Sequence, residues 1–155
     1  GSHHTTELCL KWLDQADVSD KVVIDYGSGS GILAIAAAKL GAAEVHAVDN
    51  DPQAILATLD NCQRNGVSLD RLHAYLPDAL PSMQADILIA NILAAPLMAL
   101  AEHFASLLKP GGYLVLSGLL DTQVEQVAAC YRDQFQVAAP VLSSDWVRLD
   151  AVRKA

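Results

Sequence analysis

The stretch Val22-Val23-Ile24-Asp25-Tyr26-Gly27-Ser28-Gly29-Ser30-Gly31-Ile32-Leu33-Ala34 constrains this chain more than any other. A short apolar run reads as a buried strand, a glycine–serine turn follows it, and an alanine- and leucine-rich helix begins. Glycines without a Cβ let the backbone curl tightly and press against a ligand. The helix behind them presents unpaired N–H groups and a partial positive charge. A strand, turn and helix of this kind imply a nucleotide site.

Spacing narrows the nucleotide. The dinucleotide fingerprint G-x-G-x-x-G/A follows directly on its strand. Counted from Gly27, its third small residue falls on Ile32, which fails. Counted from Gly29, Ala34 fits, but the strand must then run through Gly27 and Ser28. The better frame is apolar-apolar-Asp-x-Gly-x-Gly-x-Gly, which resembles motif I of the Rossmann-like S-adenosylmethionine (AdoMet) methyltransferases. Taken alone, an ordinary tight turn is the competing account.

Two further segments support that frame. Glu44 to Val48 reads as the second strand, and Asp49 just past its end can accept both hydroxyls of a ribose. Asp51-Pro52 reads as a helix start, with Asp at the cap and Pro at the first helical position. Leu108-Lys109-Pro110-Gly111-Gly112 before Tyr113 to Ser117 reads as a helix end, a sharp turn and a buried strand. That phrase resembles the entry to strand five of the same methyltransferases.

With 155 residues the chain is expected to form one domain with a full α/β core. Its formal charge is −8 and no Lys/Arg run appears, which argues against a nucleic-acid or membrane surface and favours a basic or neutral partner. A merely soluble acidic surface accounts for the charge equally well. Cys9, Cys62 and Cys130 are far apart and lack metal-ligand spacing, so no metal is expected and reduced cysteines of a cytoplasmic protein are the simple account. No signal peptide or bilayer-spanning stretch is apparent. Gly1-Ser2-His3-His4 reads in part as the scar of an expression tag.

Along the chain, Thr5 or Thr6 is expected to cap a first helix running to about Ala16. Helices follow at Ile32–Leu40 and Pro52–Arg64, the latter with Ile55, Leu56, Leu59 and Cys62 inward. A third strand is expected near Leu72–Leu76 and a fourth at Ala85–Ala90. A helix starts at Pro96 with a stripe of Leu97, Leu100, Phe104, Leu107 and Leu108, and another spans Thr122–Asp133. Phe135–Val141 and Trp146–Val152 read as the last two strands. Alternating strands and helices give an α/β fold with a doubly wound, mainly parallel sheet.

Asn91-Ile92-Leu93-Ala94 lies just after strand four, where ligands of such sheets bind. "ANILA" there, "HxTT" before the first helix and "DxGxGSGILAIAAxKLGA" together resemble PrmA, the bacterial family that methylates protein eleven of the large ribosomal subunit. His3 to Leu13, Asp51 to Ile55 and Asn65-Gly66-Val67 continue the resemblance, which covers essentially the whole chain. It implies a Rossmann-like class I fold of seven strands ordered 3-2-1-4-5-7-6, strand seven antiparallel. It also implies that Thr6, Gly27, Asp49 and Asn91 contact AdoMet, with Gly29 the neighbouring turn position. A ribosomal large-subunit protein is the implied substrate, with no direct nucleic-acid or membrane partner; oligomeric state has no signal. Relatives carry an N-terminal recognition domain and linker that this sequence lacks, so it is expected to be the catalytic domain alone, 1–155. Loss of that domain leaves a second reading, an AdoMet-binding module without independent activity; a methyltransferase for another amine is a third.

AdoMet brings its own electrophile, so the protein's work is positioning. The amine must arrive neutral. Asn91 can accept its N–H through the side-chain carbonyl, aided by the backbone carbonyls of Ile92 and Leu93, and no general base is required. A cap on the next helix is the alternative for Asn91. Asp25 is expected to fix the glycine turn. Asp78 reads either as an adenine contact or as a turn residue, His46, His73 and His103 as structural or surface residues, and Trp12 and Trp146 as packing, with the substrate mouth as the alternative for Trp146.

Overall fold

The computed structural model describes residues 3–155; Gly1 and Ser2, the start of the stretch read as a tag scar, lie outside the described residues. Helix α1 (His3–Gln15) is followed by β1 (Val22–Tyr26), α2 (Ile32–Lys39), β2 (Glu44–Val48), α3 (Pro52–Arg64), β3 (Leu72–Tyr75) and β4 (Ala85–Asn91). Then come α4 (Ala94–Ala99), α5 (Ala101–Ser106), β5 (Leu108–Leu120), α6 (Val124–Tyr131), β6 (Phe135–Val137), β7 (Val141–Ser143) and β8 (Trp146–Arg153). The first half follows local chemistry closely. Asp51 Oδ1 accepts the Gln53 N–H at 2.9 Å, Pro52 occupies the first turn, and Gly66 takes φ +73° just past the Asn65 cap.

The strands hydrogen-bond in the order β3-β2-β1-β4-β5-β8-β6, with β7 pairing on β8. The first five are mutually parallel, and β8 runs antiparallel to β5, β6 and β7. This is the expected topology, with β8 as the seventh strand. The single strand expected over 135–141 is split, because Ala138-Ala139-Pro140 interrupts it; proline cannot donate to a ladder.

Other departures have tertiary causes. Helix α1 starts at His3, so neither threonine caps it and Thr5 is fully buried inside the first turn. The helix expected from Pro96 starts two residues earlier and breaks at Leu100, which caps α4 and opens α5. The Lys-Pro-Gly-Gly segment is not a turn outside the sheet but the start of a longer β5, with a register shift against β4 between Ala85 and Ile87. Gly112 packs there on the carbonyl of Asp86, where a Cβ would lie at 3.2 Å.

Two apolar layers clamp the sheet. On one face α1, α2 and α3 bury Cys9, Leu13, Leu33, Ala37 and Cys62 against Val23, Val45, Ile87 and Val115. On the other α4, α5 and α6 bury Leu97, Phe104, Val127 and Tyr131 against Ile24, Leu88, Leu114 and Leu149. Helix α2 is apolar nearly all round because α1 and the sheet both pack on it. In α3 the inward set differs from expectation: Leu56 is exposed, and Thr58 is buried in its place.

Helix α1 lies across the far half of the sheet and is fixed by polar contacts. Ser117 Oγ donates to the carbonyl of Thr5 at 3.1 Å. Arg148 Nη1 donates to the carbonyl of Leu8 at 2.9 Å, while Nε and Nη2 grip both oxygens of Asp150 at 2.8 and 3.1 Å. The first turn of α1 is thereby held over the carboxyl ends of β4 and β5.

Candidate functional site

The glycine turn sits at the carboxyl end of β1, between β2 and β4. The N–H groups of Gly27 and Ser28 both donate to the carbonyl of Val48, at 2.7 and 3.0 Å. Gly27, Gly29 and Gly31 all take positive φ, at 89°, 54° and 90°, where L side chains are strained. Their surroundings differ. A Cβ on Gly31 would meet the Cα of Thr58 at 3.1 Å, and one on Gly27 would strike Ile92 Cγ2 at 2.3 Å. A Cβ on Gly29 would meet nothing within 4 Å. Gly29 is therefore the point of the turn that faces open space.

Thr58, which sequence reasoning passed over, buttresses this turn from α3. Its hydroxyl donates to the carbonyl of Gly29 at 3.1 Å and lies 3.2 Å from Ser28 Oγ. A polar residue at an inward position of an otherwise apolar stripe was the available signal.

Asp49 stands just past β2, half-buried, with both oxygens aimed at backbone. Oδ2 accepts the N–H of Gly29 at 2.9 Å and Oδ1 accepts that of Asp51 at 3.0 Å. Each oxygen keeps a lone pair for a further donor. Asp51 is the helix cap expected of it.

Asn91 ends β4, paired with Ser117 of β5. Its Nδ2 donates to Thr6 Oγ1 at 3.4 Å, and its Oδ1 is buried without a partner. It does not cap the next helix, whose first cap residue is Leu93 without any side-chain bond. The two backbone carbonyls expected to assist point elsewhere: that of Ile92 lies against Gly118, and that of Leu93 accepts the N–H of Leu97 at 3.3 Å. The free acceptor is the Asn91 side chain. An unpartnered buried carbonyl is uncommon in folded proteins and marks a place where a donor belongs.

Asp25 lies under the turn and is buried. Its Oδ2 accepts the N–H of Ala34 at 3.1 Å, so it holds α2 behind the turn, while Oδ1 has no partner. Burial pushes its carboxyl up from 3.8 to about 7, against the pull of the Ala34 N–H and aided by the negative charge of Asp49. Asp78 is exposed in a one-turn 3-10 segment, Pro77–Ala79, close enough for its charge to act on Tyr26. His46 is buried between Tyr75 and Glu44, at 3.2 and 3.1 Å, and stacks on His73; His103 lies edge-on to Tyr26. These histidines belong to packing. Trp12 meets the ring of Tyr113 at 6.1 Å, beside a groove of about 650 Å³ that opens at the amino ends of β1 and β4, remote from the glycine turn. Among the described residues no group of three or more His, Cys, Asp or Glu is placed to hold a metal ion, and no helix is long and apolar enough to cross a membrane.

A doubly wound sheet with an antiparallel penultimate strand, a glycine turn after β1, a carboxylate after β2 and an amide after β4 defines the Rossmann-like class I methyltransferase fold. The chain belongs to the PrmA family: the family described as "Ribosomal protein L11 methyltransferase (PrmA)" matches residues 1–154. A ribosomal protein L11 methyltransferase of Vibrio vulnificus (strain CMCP6) is 55% identical over 150 residues, covering 96% of this chain and 50% of that protein. One from Pseudomonas putida (strain W619) is 51% identical over 154 residues, covering 99% and 53%. The crystal structure of a ribosomal protein L11 methylase from Lactobacillus delbrueckii subsp. bulgaricus superposes with a TM-score of 0.91 at 32% identity, covering 100% of this chain and 81% of that one. At 18% identity, an RNA methyltransferase from Salinibacter ruber, solved with S-adenosyl-L-homocysteine, shares the fold with a TM-score of 0.72 over 96% of this chain and 91% of that one. The chain spans about half the length of the curated relatives it matches.

Proposed function

We propose that this chain is the catalytic domain of an AdoMet-dependent protein N-methyltransferase that modifies lysine or α-amino groups of a large-subunit ribosomal protein, L11. The observation that carries the reading is the Asn91 amide, fixed through its nitrogen by Thr6 while its carbonyl oxygen is buried and unpartnered beside the glycine turn. The residues present fit AdoMet. Gly29 opens onto free space at positive φ, Asp49 keeps acceptor capacity for a ribose, and Gly27 lets the chain pass close by. Thr6, Gly27, Gly29, Asp49 and Asn91 would hold the methyl donor, and Asn91 also acts on the substrate.

Bound AdoMet supplies a methyl group already activated by its sulfonium. The chain's own residues orient the partners. Asn91 Oδ1 accepts an N–H of the neutral amine and so directs its lone pair, while Thr6 Oγ1 engages the amide through Nδ2. Leu93, 71% exposed just beyond Asn91, gives the approach an apolar lip that disfavours the ammonium form. The surplus proton of the product leaves to solvent. Asp25 is engaged with Ala34 beneath the turn and takes no proton from substrate. The acidic balance of the chain, −8, suits a cationic substrate.

Mass spectrometry of L11 incubated with the chain and AdoMet tests the reading. Added methyl groups on lysine or the amino terminus, absent without AdoMet, are the expected result. AdoMet binding in calorimetry without any transfer would reduce the chain to a cofactor-binding module, and preference for NAD would remove the class.

A further inference from the structure

We infer that Gly118 is a positioning residue for methyl transfer: it fixes the backbone of Ile92, and through it the amide of the preceding residue, Asn91. The inference rests on the role proposed above for Asn91.

The sheet order places β4 between β1 and β5. In register, Ala90 lies beside Tyr26 on one side and Leu116 on the other, and Asn91 pairs with Ser117. Each flanking strand passes into a glycine at the next step, Gly27 after Tyr26 and Gly118 after Ser117. Ile92 leaves the sheet between them. A Cβ on Gly27 would strike the Cγ2 methyl of Ile92, the far end of a side chain. A Cβ on Gly118 would strike backbone: the carbonyl oxygen of Ile92 at 2.3 Å, its carbonyl carbon at 3.0 Å and its nitrogen at 3.3 Å. A side chain can rotate away, but the backbone of Ile92, its carbonyl first and its nitrogen behind, cannot.

Gly118 also has φ +93° and lies where the β5–β8 register shifts, between Leu116 and Leu119. A bulge of this kind bends a strand and re-aims what lies beside it. Here it brings β5 against the exit of β4, at the one residue step that sets where the Asn91 side chain starts. The sequence hides this role, because a lone glycine inside the apolar run 113–120 reads only as a weak point in a strand.

The test is Gly118→Ala, followed by the Asn91 side-chain amide resonances, by AdoMet calorimetry and by methyl transfer to L11. The Asn91 amide signals should move, and kcat should fall on the order of tenfold to a hundredfold, as misplacement by about an ångström produces. The AdoMet dissociation constant should rise by a few-fold at most, less than the fall in kcat, since Gly29 and Asp49 are untouched and only the Asn91 contact to the methyl donor is disturbed. Leu72→Ala, a core truncation in β3 within the apolar layer on the other face of the sheet from the one Ile92 packs against, lowers stability and should leave the Asn91 signals in place. If Gly118→Ala does not fold, Ile92→Ala removes the side chain against Gly27 and keeps the backbone contact with Gly118, so the Asn91 signals should stay near their wild-type positions; a large displacement there would overturn the inference. A folded Gly118→Ala protein with unchanged Asn91 signals and unchanged kcat overturns the inference. Moved Asn91 signals in a protein whose wild type transfers no methyl group would uphold the positioning and overturn the proposed function instead.

Discussion

Asp49 Oδ2 receives the backbone N–H of Gly29 across 2.9 Å, tying the end of β2 to the exposed point of the glycine turn. The carboxylate proposed to bind ribose is therefore also the strut that aims the turn. Asp49→Ala should weaken AdoMet binding by about tenfold to a hundredfold, the effect of losing a charged acceptor worth roughly 1–3 kcal/mol. Asp49→Asn, which keeps one acceptor oxygen, should fall between. Titration calorimetry reads both, and wild-type affinity in the alanine variant would remove the ribose assignment.

Gly29 and Gly31 should separate binding from folding. Alanine at either position pays about 1 kcal/mol for positive φ. At Gly29 the new methyl enters open space, so stability should drop by little more than that while AdoMet binding is largely lost. At Gly31 it meets the backbone of Thr58, so the unfolding midpoint should fall markedly further. Denaturant titrations beside calorimetry give the comparison; equal loss of stability in both would contradict it.

Asn91→Ala should lower the rate of methyl transfer by about a hundredfold, because the buried, unpartnered acceptor proposed to orient the amine is removed. Asn91→Asp keeps an acceptor oxygen but cannot donate to Thr6, and Thr6→Val leaves the amide unanchored. Both should retain more activity than Asn91→Ala. Single-turnover rates at saturating AdoMet would order the three.

Asp25 gives the fold a pH dependence. Its carboxyl is raised from 3.8 to about 7, so the folded state holds a proton that the unfolded chain releases. Its stabilising contribution is complete below about pH 4 and is lost as pH rises through 7, beyond which both states are ionised. Asp25→Asn should lack that slope, narrowing or reversing any deficit against wild type by a few kcal/mol at most between pH 4 and pH 8. Parallel curves for the two proteins over that range would show that Asp25 does not titrate there. Asp49→Asn, by removing a nearby negative charge, should shift the wild-type slope to lower pH.

The sequence was most legible where local chemistry and tertiary demand agree. Val22–Tyr26 and Glu44–Val48 are covered on both faces, so their apolar runs begin and end where the strands do, and Asp51-Pro52 announces α3 by its cap. It was least legible where one contact decides. Thr58 is polar in an apolar stripe because its hydroxyl serves the turn. The break at Leu100 comes from how the chain folds back on the sheet, not from any strong local signal, whereas the interruption before β7 was signalled by Pro140. The partner of Asn91 was readable in neither periodicity nor spacing, since Thr6 lies 85 residues away.

The grip of Arg148 on the Leu8 carbonyl joins positions 140 residues apart. As the chain emerges from its own synthesis, the glycine turn, Asp49 and Asn91 are all complete long before the strand that anchors the first helix exists. Ser117 of β5 can already hold the Thr5 carbonyl, but the helix carrying Thr6 lacks its anchor on Arg148 until β8 inserts beside β5. Contacts of such separation form late. The last strand described thus acts as a timing element: a chain truncated or stalled before Trp146 carries every motif proposed to bind the methyl donor and lacks the Arg148 clamp on the helix that presents Thr6 to Asn91.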